Sequence, residues 1–464
     1  MSLVRAPGPP PVRPAEPPVR RGRPPARNEI LRAGRLGGLD PAELAARAGT
    51  PFYAYDLDVV ARQVDALRRR LPSSVDLAYA VKANPGLAIL HRLAGLGLGA
   101  DVASGGELRQ ALRAGFVTGE VVVTGPGKRD EELAAAVDAG VRAVTVESVG
   151  ELRRLATFAE GLGRPQAVLL RAAVTESARL ERVRLVGDDG AGKFGMDVGD
   201  LRVAAAEAVA SPWLEPLGIH AFGASNVLDA AAIGAHVEAT VRLAASLAAT
   251  AGFRLRLVDA GGGLGIPYEA HESPLDLDLL GRRLDAVATD LAADPATRDA
   301  RILLEPGRFL VGPAGAYVAR VVDRKVTGGQ HVVILDGGIH HVLRPALVGQ
   351  EHRVRALTGI AATPAGANAQ RFPVTVAGPL CSGLDVFAQS AAMALPEPGD
   401  LVAILDVGAY GATESMPFFL SHPLPAEVAI QDGDAWVARP RIEPEAWLGW
   451  EVGRPGLDGD RGAA

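Results

Sequence analysis

Asp76-Leu77-Ala78-Tyr79-Ala80-Val81-Lys82-Ala83-Asn84-Pro85 reads as a short strand that delivers one lysine to an open end. Leu77, Tyr79 and Val81 fall on one face by the two-residue period of a strand, and Ala78, Ala80 and Lys82 on the other. The first face suits packing under helices. The second is small, small, then an amine, so a sizeable group can lie against it. Asn84-Pro85-Gly86 then stops the strand and turns the chain. A lysine in such a place is either a stem packed in the interior with its charge at the rim or a nucleophilic amine. The rest of the chain has to decide between the two.

Outward from this strand, short apolar runs alternate with amphipathic stretches from about Pro51 to Phe309. Strands are predicted at 76–82, 98–102, 120–124, 142–146, 166–172, 216–222, 254–260 and 301–305, with helices between them at 104–114, 129–139, 147–160, 199–209, 228–250 and 275–292. Eight strands, each followed by a crossover, is the count of an α/β fold of the (β/α)8 TIM barrel type. A doubly wound sheet is the rival, but it usually has fewer strands and carries a glycine fingerprint in its first turn. After Phe309 the runs Ala316–Val322, His331–Leu335, Pro373–Ala377 and Leu401–Leu405 are β-rich and separated by Gly/Pro loops, which predicts a second, mainly antiparallel β domain. The expected division is a Pro/Arg-rich tail over 1–30, a lead-in segment joining the β domain over 31–50, the barrel over 51–309, the β domain over 310–450 and a loose tail over 451–464.

The bulk composition fits such a molecule. With 464 residues, 48% of them hydrophobic and 22% charged, the chain can bury a large core and exceeds one ordinary domain. A formal net charge of -6 leaves no basic excess to meet phosphates, which argues against a nucleic-acid partner. No apolar run is long enough to span a bilayer, so no membrane span is expected. One cysteine, Cys381, cannot form an intramolecular disulfide or a cysteine-rich metal site, and a reducing, cytoplasmic compartment is expected. The proline-rich first thirty residues lack the apolar centre of a signal peptide and cannot bury a core, so an extended, disordered tail is predicted.

In a barrel, residues at the carboxyl ends of the strands converge on one face whatever their separation in sequence. The predicted ends give Lys82, Asp101, Arg171, His220 and Phe222, with Ser225 just beyond; then Asp259-Ala260-Gly261-Gly262-Gly263-Leu264-Gly265; then Glu305-Pro306-Gly307-Arg308. Gly261, Gly262 and Gly263 lack Cβ atoms, so backbone N–H groups there can wrap a phosphate closely, with Arg308 and the Gly307 amide closing the other side. Two commoner phosphate motifs fail. Position 266 is Ile where a dinucleotide fingerprint needs glycine, and the near P-loop from Gly187 to Phe194 ends in Phe194 where Ser or Thr must hold magnesium. Within Asp336-Gly337-Gly338-Ile339-His340-His341, adjacent histidines on a strand point to opposite faces and cannot chelate together, so no metal site is predicted.

An amine for a Schiff base, a phosphate cup and a carboxylate for a ring nitrogen are the parts a pyridoxal phosphate site needs. Ala80-Val81-Lys82-Ala83-Asn84, Gly261–Gly265, Glu305–Arg308, Gly378-Pro379-Leu380-Cys381 and Gly408-Ala409-Tyr410 occur in an order that resembles the motifs of the diaminopimelate and ornithine decarboxylase family over roughly residues 45–430. That resemblance implies an alanine-racemase-like barrel with pyridoxal 5'-phosphate carried by Lys82. It places the phosphate on the glycine turn with Ser225, Gly307 and Tyr410, puts Arg308 on phosphate or a substrate carboxylate, and sets Glu305 against the ring nitrogen. It further implies a homodimer with shared active sites, in which Cys381 serves the partner's site by protonating Cα and Lys193 pairs with Asp385 across the interface. Arg344 matches a substrate-carboxylate ligand.

Three departures from the family pattern bear on the substrate. The acid expected after the motif cysteine, which meets a distal ammonium, is Ser382; a tyrosine expected soon after Arg344 is Val348; and a histidine that stacks on the ring is Phe222, which can still stack. Loss of a charge-assisted hydrogen bond at 382 costs roughly 1–3 kcal/mol, enough to change preference tenfold. The resulting expectation is decarboxylation of an L-amino acid that lacks the usual distal ammonium, tethered to a carrier protein. Diaminopimelate decarboxylase proper and a non-catalytic pyridoxal-phosphate-binding homologue are the alternatives.

Overall fold

The computed structural model describes residues 29–173, 192–269, 271–359 and 370–451. Most of the Pro/Arg-rich tail, residues 187–191 of the P-loop-like stretch and the C-terminal tail beyond 451 lie outside them.

Eight parallel strands close into a barrel in chain order: Val75–Ala80, Gly99–Val102, Val121–Val123, Ala143–Val146, Gln166–Arg171, Leu214–His220, Leu257–Asp259 and Arg301–Leu304. The eighth returns to the first through Ile302 beside Val75 and Leu304 beside Leu77. The period-two alternation is realised as predicted. Ala78 joins Val122, Ala143, Leu169, Leu257 and Leu303 in a small inner cluster, while Tyr79 and Val81 face the helices in the large core. Helices such as Gly105–Arg113, Val149–Gly161 and Val198–Ala210 alternate with the strands, each opened by a Ser or Asp side chain that accepts a backbone N–H of its first turn.

Three expectations are corrected. The barrel does not begin at residue 51. Phe52–Asp56 is buried throughout and inserts into the second domain's sheet, antiparallel to Gly315–Val318 and parallel to Ala426–Ile430. Five consecutive buried residues need partners on both edges and both faces, which only the middle of a sheet provides. Second, Lys82 is not on the strand. The first strand ends at Ala80, and Lys82 sits in a 3-10 turn, Val81–Ala83. Third, His340 and His341 lie in a turn rather than a strand, with ring centroids 3.7 Å apart.

The second domain is built on the long strand Gly315–Thr327, which pairs antiparallel with Phe52–Asp56, Gln330–Leu335 and Leu401–Leu405. Pairings are mainly antiparallel, but Gln330–Leu335 runs parallel to Phe372–Ala377. Leu36, Leu44 and Ala45 of the lead-in segment cover one face of this sheet, against Phe52, Ala54, Ala316 and Val318, and Ile30, placed in the tail by the expected division, is buried with them.

Buried histidines tie this domain together in their neutral form. His341 accepts from the Tyr317 hydroxyl at Nδ1 (2.8 Å) and donates from Nε2 to the Pro423 carbonyl (3.0 Å). His352 donates from Nδ1 to the Leu405 carbonyl at 2.8 Å. Burial pulls His352 down to about 4 and His341 to about 2, the latter helped by His340, which burial and His422 lower to about 4. Such groups bind protons in the unfolded chain before the folded one, so their stabilising effect is complete above about pH 6.5 and lost as pH falls toward 4. The free energy of urea unfolding is therefore expected to drop between pH 6.5 and 5, by at most about 1.4 kcal/mol per pH unit for each histidine, and His352→Gln is expected to flatten the slope. Since a raised carboxyl such as Asp259 slopes the other way over that window, the difference between the two profiles is the test, and a His352→Gln profile parallel to the parent's would contradict the assignment.

Candidate active site

The carboxyl end of the barrel opens into a cavity of about 270 Å3 lined by Lys82, Arg171, Phe194, His220, Phe222, Ser225, Glu305, Arg308, Arg344, Tyr410 and Glu414, among others. Residues hundreds of positions apart meet there because each follows the end of a barrel strand or sits on a loop of the β domain that covers the mouth.

The turn after the first strand sets the lysine. Lys82 Nζ donates to Asp101 Oδ2 at 2.7 Å; the lysine side chain is 42% exposed, onto the cavity, while Asp101 is sealed beneath it. Burial works to lower the Lys82 pKa, but the charges of Asp101 and Glu305 prevail and raise it. The resting group is an ammonium, held by the Asp101 carboxylate. Two backbone contacts fix the turn: Asn84 Nδ2 donates to the Gly408 carbonyl at 2.9 Å, and Tyr410 N donates to the Ala83 carbonyl at 2.7 Å.

Opposite the lysine, three buried groups gather at the ends of strands six, seven and eight. His220, Asp259 and Glu305 bring one nitrogen and two carboxylate oxygens within 4.8 Å of one another. His220 Nε2 lies 3.6 Å from Glu305 Oε2. Asp259 Oδ1 accepts from Gly261 N at 2.9 Å. Burial and then the charge of Glu305 push Asp259 well above the carboxylate range. For Glu305, burial works upward but His220 and Lys82 outweigh it and hold the group down. One carboxyl keeps the proton and the other the charge, so the buried pair avoids two adjacent anions.

The glycine turn follows directly. Gly261 and Gly263 have φ of +66° and +93°. A Cβ on Gly262 would sit 2.4 Å from the Glu305 carbonyl oxygen, and one on Gly263 2.4 Å from the Ala224 oxygen. Only glycine fits this approach of three strand ends. A Cβ on Gly261 would stand 3.1 Å from Phe222 Cδ2, so the turn lies one layer behind the phenylalanine. Arg308 donates to Tyr268 Oη at 2.8 Å and Ser225 Oγ at 3.4 Å, and its guanidinium lies 4.6 Å from the Tyr410 ring centroid. Gly307 must be small for the same reason, since its Cβ would come 2.8 Å from that of Ala83. Tyr410 adopts φ 56°, a conformation costly for a side-chain-bearing residue and common where a site holds its parts under constraint. Arg171 pairs with Glu147 at 2.5 Å and lies over Phe194 at 4.6 Å.

The sequence-predicted barrel residues thus come together, and Arg344 joins them from the β domain. Cys381, Ser382, Lys193 and Asp385 do not line this chain's own cavity. Cys381 is exposed. Ser382 Oγ accepts from Leu384 N at 3.2 Å in a tight turn. Asp385 is buried and accepts from Ile339 N and Leu380 N, both at 2.7 Å, so its carboxylate organises its own loop. Lys193 Nζ lies 5.0 Å from the Phe194 ring centroid, and among the described residues no ion pair joins it to Asp385 within the chain.

Sequence reasoning missed Glu147, Asp259, Tyr268 and Glu414. Glu147 was accessible by the rule already in use, since it directly follows the fourth strand. Asp259 lay inside the quoted glycine motif without an assigned role. Tyr268 sits on an irregular loop and Glu414 on a single 3-10 turn, where no period marks the inward side.

The donor set fits pyridoxal phosphate. Buried polar atoms normally find partners; among those of the described residues that have none are Asp101 Oδ1, His220 Nδ1, Asp259 Oδ2, Glu305 Oε1 and Arg308 Nε at the barrel mouth, and Arg344 Nε on the β-domain side of the same cavity. A cationic and amide-rich end for a phosphate, a carboxylate for a ring nitrogen and an amine for an aldehyde are all present.

Comparison with known proteins agrees. Residues 57–312 match the family described as pyridoxal-dependent decarboxylase, pyridoxal binding domain. The L-glutamyl-[BtrI acyl-carrier protein] decarboxylase of Niallia circulans is 32% identical over 400 residues, covering 85% of this chain and 92% of that one. The diaminopimelate decarboxylase of Zymomonas mobilis is 32% identical over 412 residues, covering 87% and 93%. The structure of diaminopimelate decarboxylase from M. jannaschii in co-complex with L-lysine superposes with a TM-score of 0.83 at 27% identity, over 91% of this chain and 96% of that one. Fold, site and relatives converge: the chain belongs to the pyridoxal-dependent decarboxylases, and is an amino-acid carboxy-lyase whose cofactor is pyridoxal 5'-phosphate.

Proposed function

We propose that this enzyme removes the α-carboxylate of an L-amino acid held through its side chain by a carrier protein. Chemistry dictates the point of attachment: the amine and carboxylate on Cα must both be free for the reaction, so a tether can only run through the distal end. The relative named as a carrier-protein decarboxylase supports this, as does Ser382 in place of an acid for a distal ammonium. The observation that carries the proposal is the meeting of Lys82, Glu305 and Arg308 around one cavity.

Pyridoxal phosphate, when bound, supplies the electron sink for the pair left by departing carbon dioxide. The residues suited to hold it are Lys82 for its aldehyde, the Gly261–Gly263 turn with Ser225, Gly307, Arg308 and Tyr410 for its phosphate, and Glu305 for its ring nitrogen. Asp101 orients the Lys82 amine through their 2.7 Å hydrogen bond. Glu305, ionised, keeps a proton on the ring nitrogen, with Asp259 and His220 behind it. Phe222 covers a ring face and excludes water. Arg171, stacked on Phe194, lines the same cavity.

No cysteine lies on this chain's cavity wall, and Cys381 is exposed. We assign Cys381 of the partner subunit as the proton donor to Cα, in a homodimer with shared sites; Asp385, buried and bonded to Ile339 N and Leu380 N, is not placed to pair with Lys193 across it. A cytoplasmic location accords with a single exposed thiol.

A panel of free and carrier-bound amino acids assayed for carbon dioxide release tests the substrate: the carrier-bound form is expected to dominate, and efficient conversion of free meso-diaminopimelate to lysine would favour diaminopimelate decarboxylase instead. Lys82→Ala is expected to abolish turnover and the covalent cofactor adduct trapped by borohydride. An adduct on another lysine with activity retained would refute the role of Lys82. Inactive Lys82→Ala and Cys381→Ala proteins, unfolded and refolded together, are expected to recover about a quarter of parental activity, because half of random dimers restore one complete site of two. No recovery, with both variants dimeric, would exclude a shared site.

A further inference from the structure

Glu414 stands in the cavity with no role in any step above. It closes the 3-10 turn Ala412–Glu414 that follows Tyr410. Its Oε2 lies 3.2 Å from Arg344 Nη1, and its side chain is 29% exposed against 5% for the arginine. The acid is therefore the more open member of the pair.

The pair is held from both sides. Leu343 N, beside Arg344, donates to Ser415 Oγ at 3.0 Å, and Ser415 Oγ donates to the Gly411 carbonyl at 2.7 Å. Arg344 also lies 5.6 Å from the Tyr410 ring centroid. Its Nε is buried and has no partner, so the guanidinium has a donor left to give.

This arrangement fixes the charge that the pocket accepts. Arg344 is the arginine a substrate's distal carboxylate would seek, but it comes with a carboxylate already in place. A second anion arriving there faces Glu414 across a half-buried site, where like charges repel strongly. A distal ammonium attracted by Glu414 faces Arg344 instead. The pair is net neutral and suits a neutral acceptor, such as the carbonyl oxygen of an ester, thioester or amide.

We infer that Glu414 is a specificity-determining residue: by occupying Arg344 it excludes amino acids with a free distal carboxylate and admits those whose distal carboxyl is esterified or thioesterified. This rests on the decarboxylase site proposed above and adds a charge rule for its far end.

The test uses holoenzyme with L-glutamate and its γ-methyl ester. The parent protein is expected to prefer the ester in kcat/KM by about tenfold or more. Glu414→Gln is expected to erase that preference, chiefly through a lower KM for L-glutamate. Independently of turnover, calorimetry with glutarate and monomethyl glutarate is expected to show glutarate binding about tenfold tighter to Glu414→Gln than to the parent, with a smaller change for the monoester. A parent enzyme that prefers free glutamate overturns the inference, even should Glu414→Gln fail to fold. So does a variant whose ratio and glutarate affinity stay within twofold of the parent. If the parent decarboxylates no amino acid of any kind, the site proposal itself fails, and the glutarate titration still decides whether Glu414 guards Arg344.

Discussion

Two hydrogen bonds between the domains hold the rest of the site in place: Asn84 Nδ2 to the Gly408 carbonyl, and Tyr410 N to the Ala83 carbonyl. They join the turn that carries Lys82 to the loop that carries Tyr410 and, four residues on, Glu414. Both loops are short and buried at their bases, and Gly408 is packed so closely that a Cβ would lie 1.8 Å from the Val311 oxygen. Neither loop can shift without the other. The cofactor end belongs to the barrel and the substrate end to the sheet domain, and this seam sets the distance between them. A change of an ångström there would degrade positioning as surely as the loss of a reacting group.

Within that frame, electrostatics is arranged by pairing. Most buried charged groups at the mouth have a companion: Lys82 with Asp101, Arg171 with Glu147, Glu305 with His220, Arg344 with Glu414, while Arg308 has only the hydroxyls of Tyr268 and Ser225. Asp259 is the exception that shows the rule, since it remains protonated beside Glu305 and so adds no second anion. Breaking one member of such a pair leaves an uncompensated charge, which is costly in a buried setting. The pairs keep the mouth from unfolding under its own repulsion, and Arg308, held by hydroxyls rather than a carboxylate, keeps its charge for a phosphate.

The barrel was legible because its signals are local. Alternation in 76–81 assigned both faces of the first strand, and the strand-end rule collected Lys82, Asp101, Arg171, His220 and Glu305 without any contact information. The same rule, applied to strand four, contains Glu147. Phe52–Asp56 was misplaced because a five-residue buried strand looks alike in a barrel and in a sheet, and only its distant partners distinguish them. The strand expected over 76–82 stops at Ala80, because the turn that Asn84-Pro85 imposes begins at Val81. Glu414 was illegible for a different reason. Its significance comes from Arg344, seventy positions earlier, through a bond between the helix Arg344–Val348 and the 3-10 turn Ala412–Glu414, and nothing in the local sequence announces such a meeting.

The insertion of Phe52–Asp56 between Gly315–Val318 and Ala426–Ile430 has a consequence for how the molecule is made. On a ribosome, the segment that becomes the middle of the sheet emerges long before the strand that will flank it. The barrel strands can all pair once residue 304 has left the exit tunnel, but the sheet stays open until residues past 430 arrive. For most of synthesis, then, an apolar strand near the amino end has no edge to lie on. The nascent enzyme has to keep that strand from finding a neighbouring chain first.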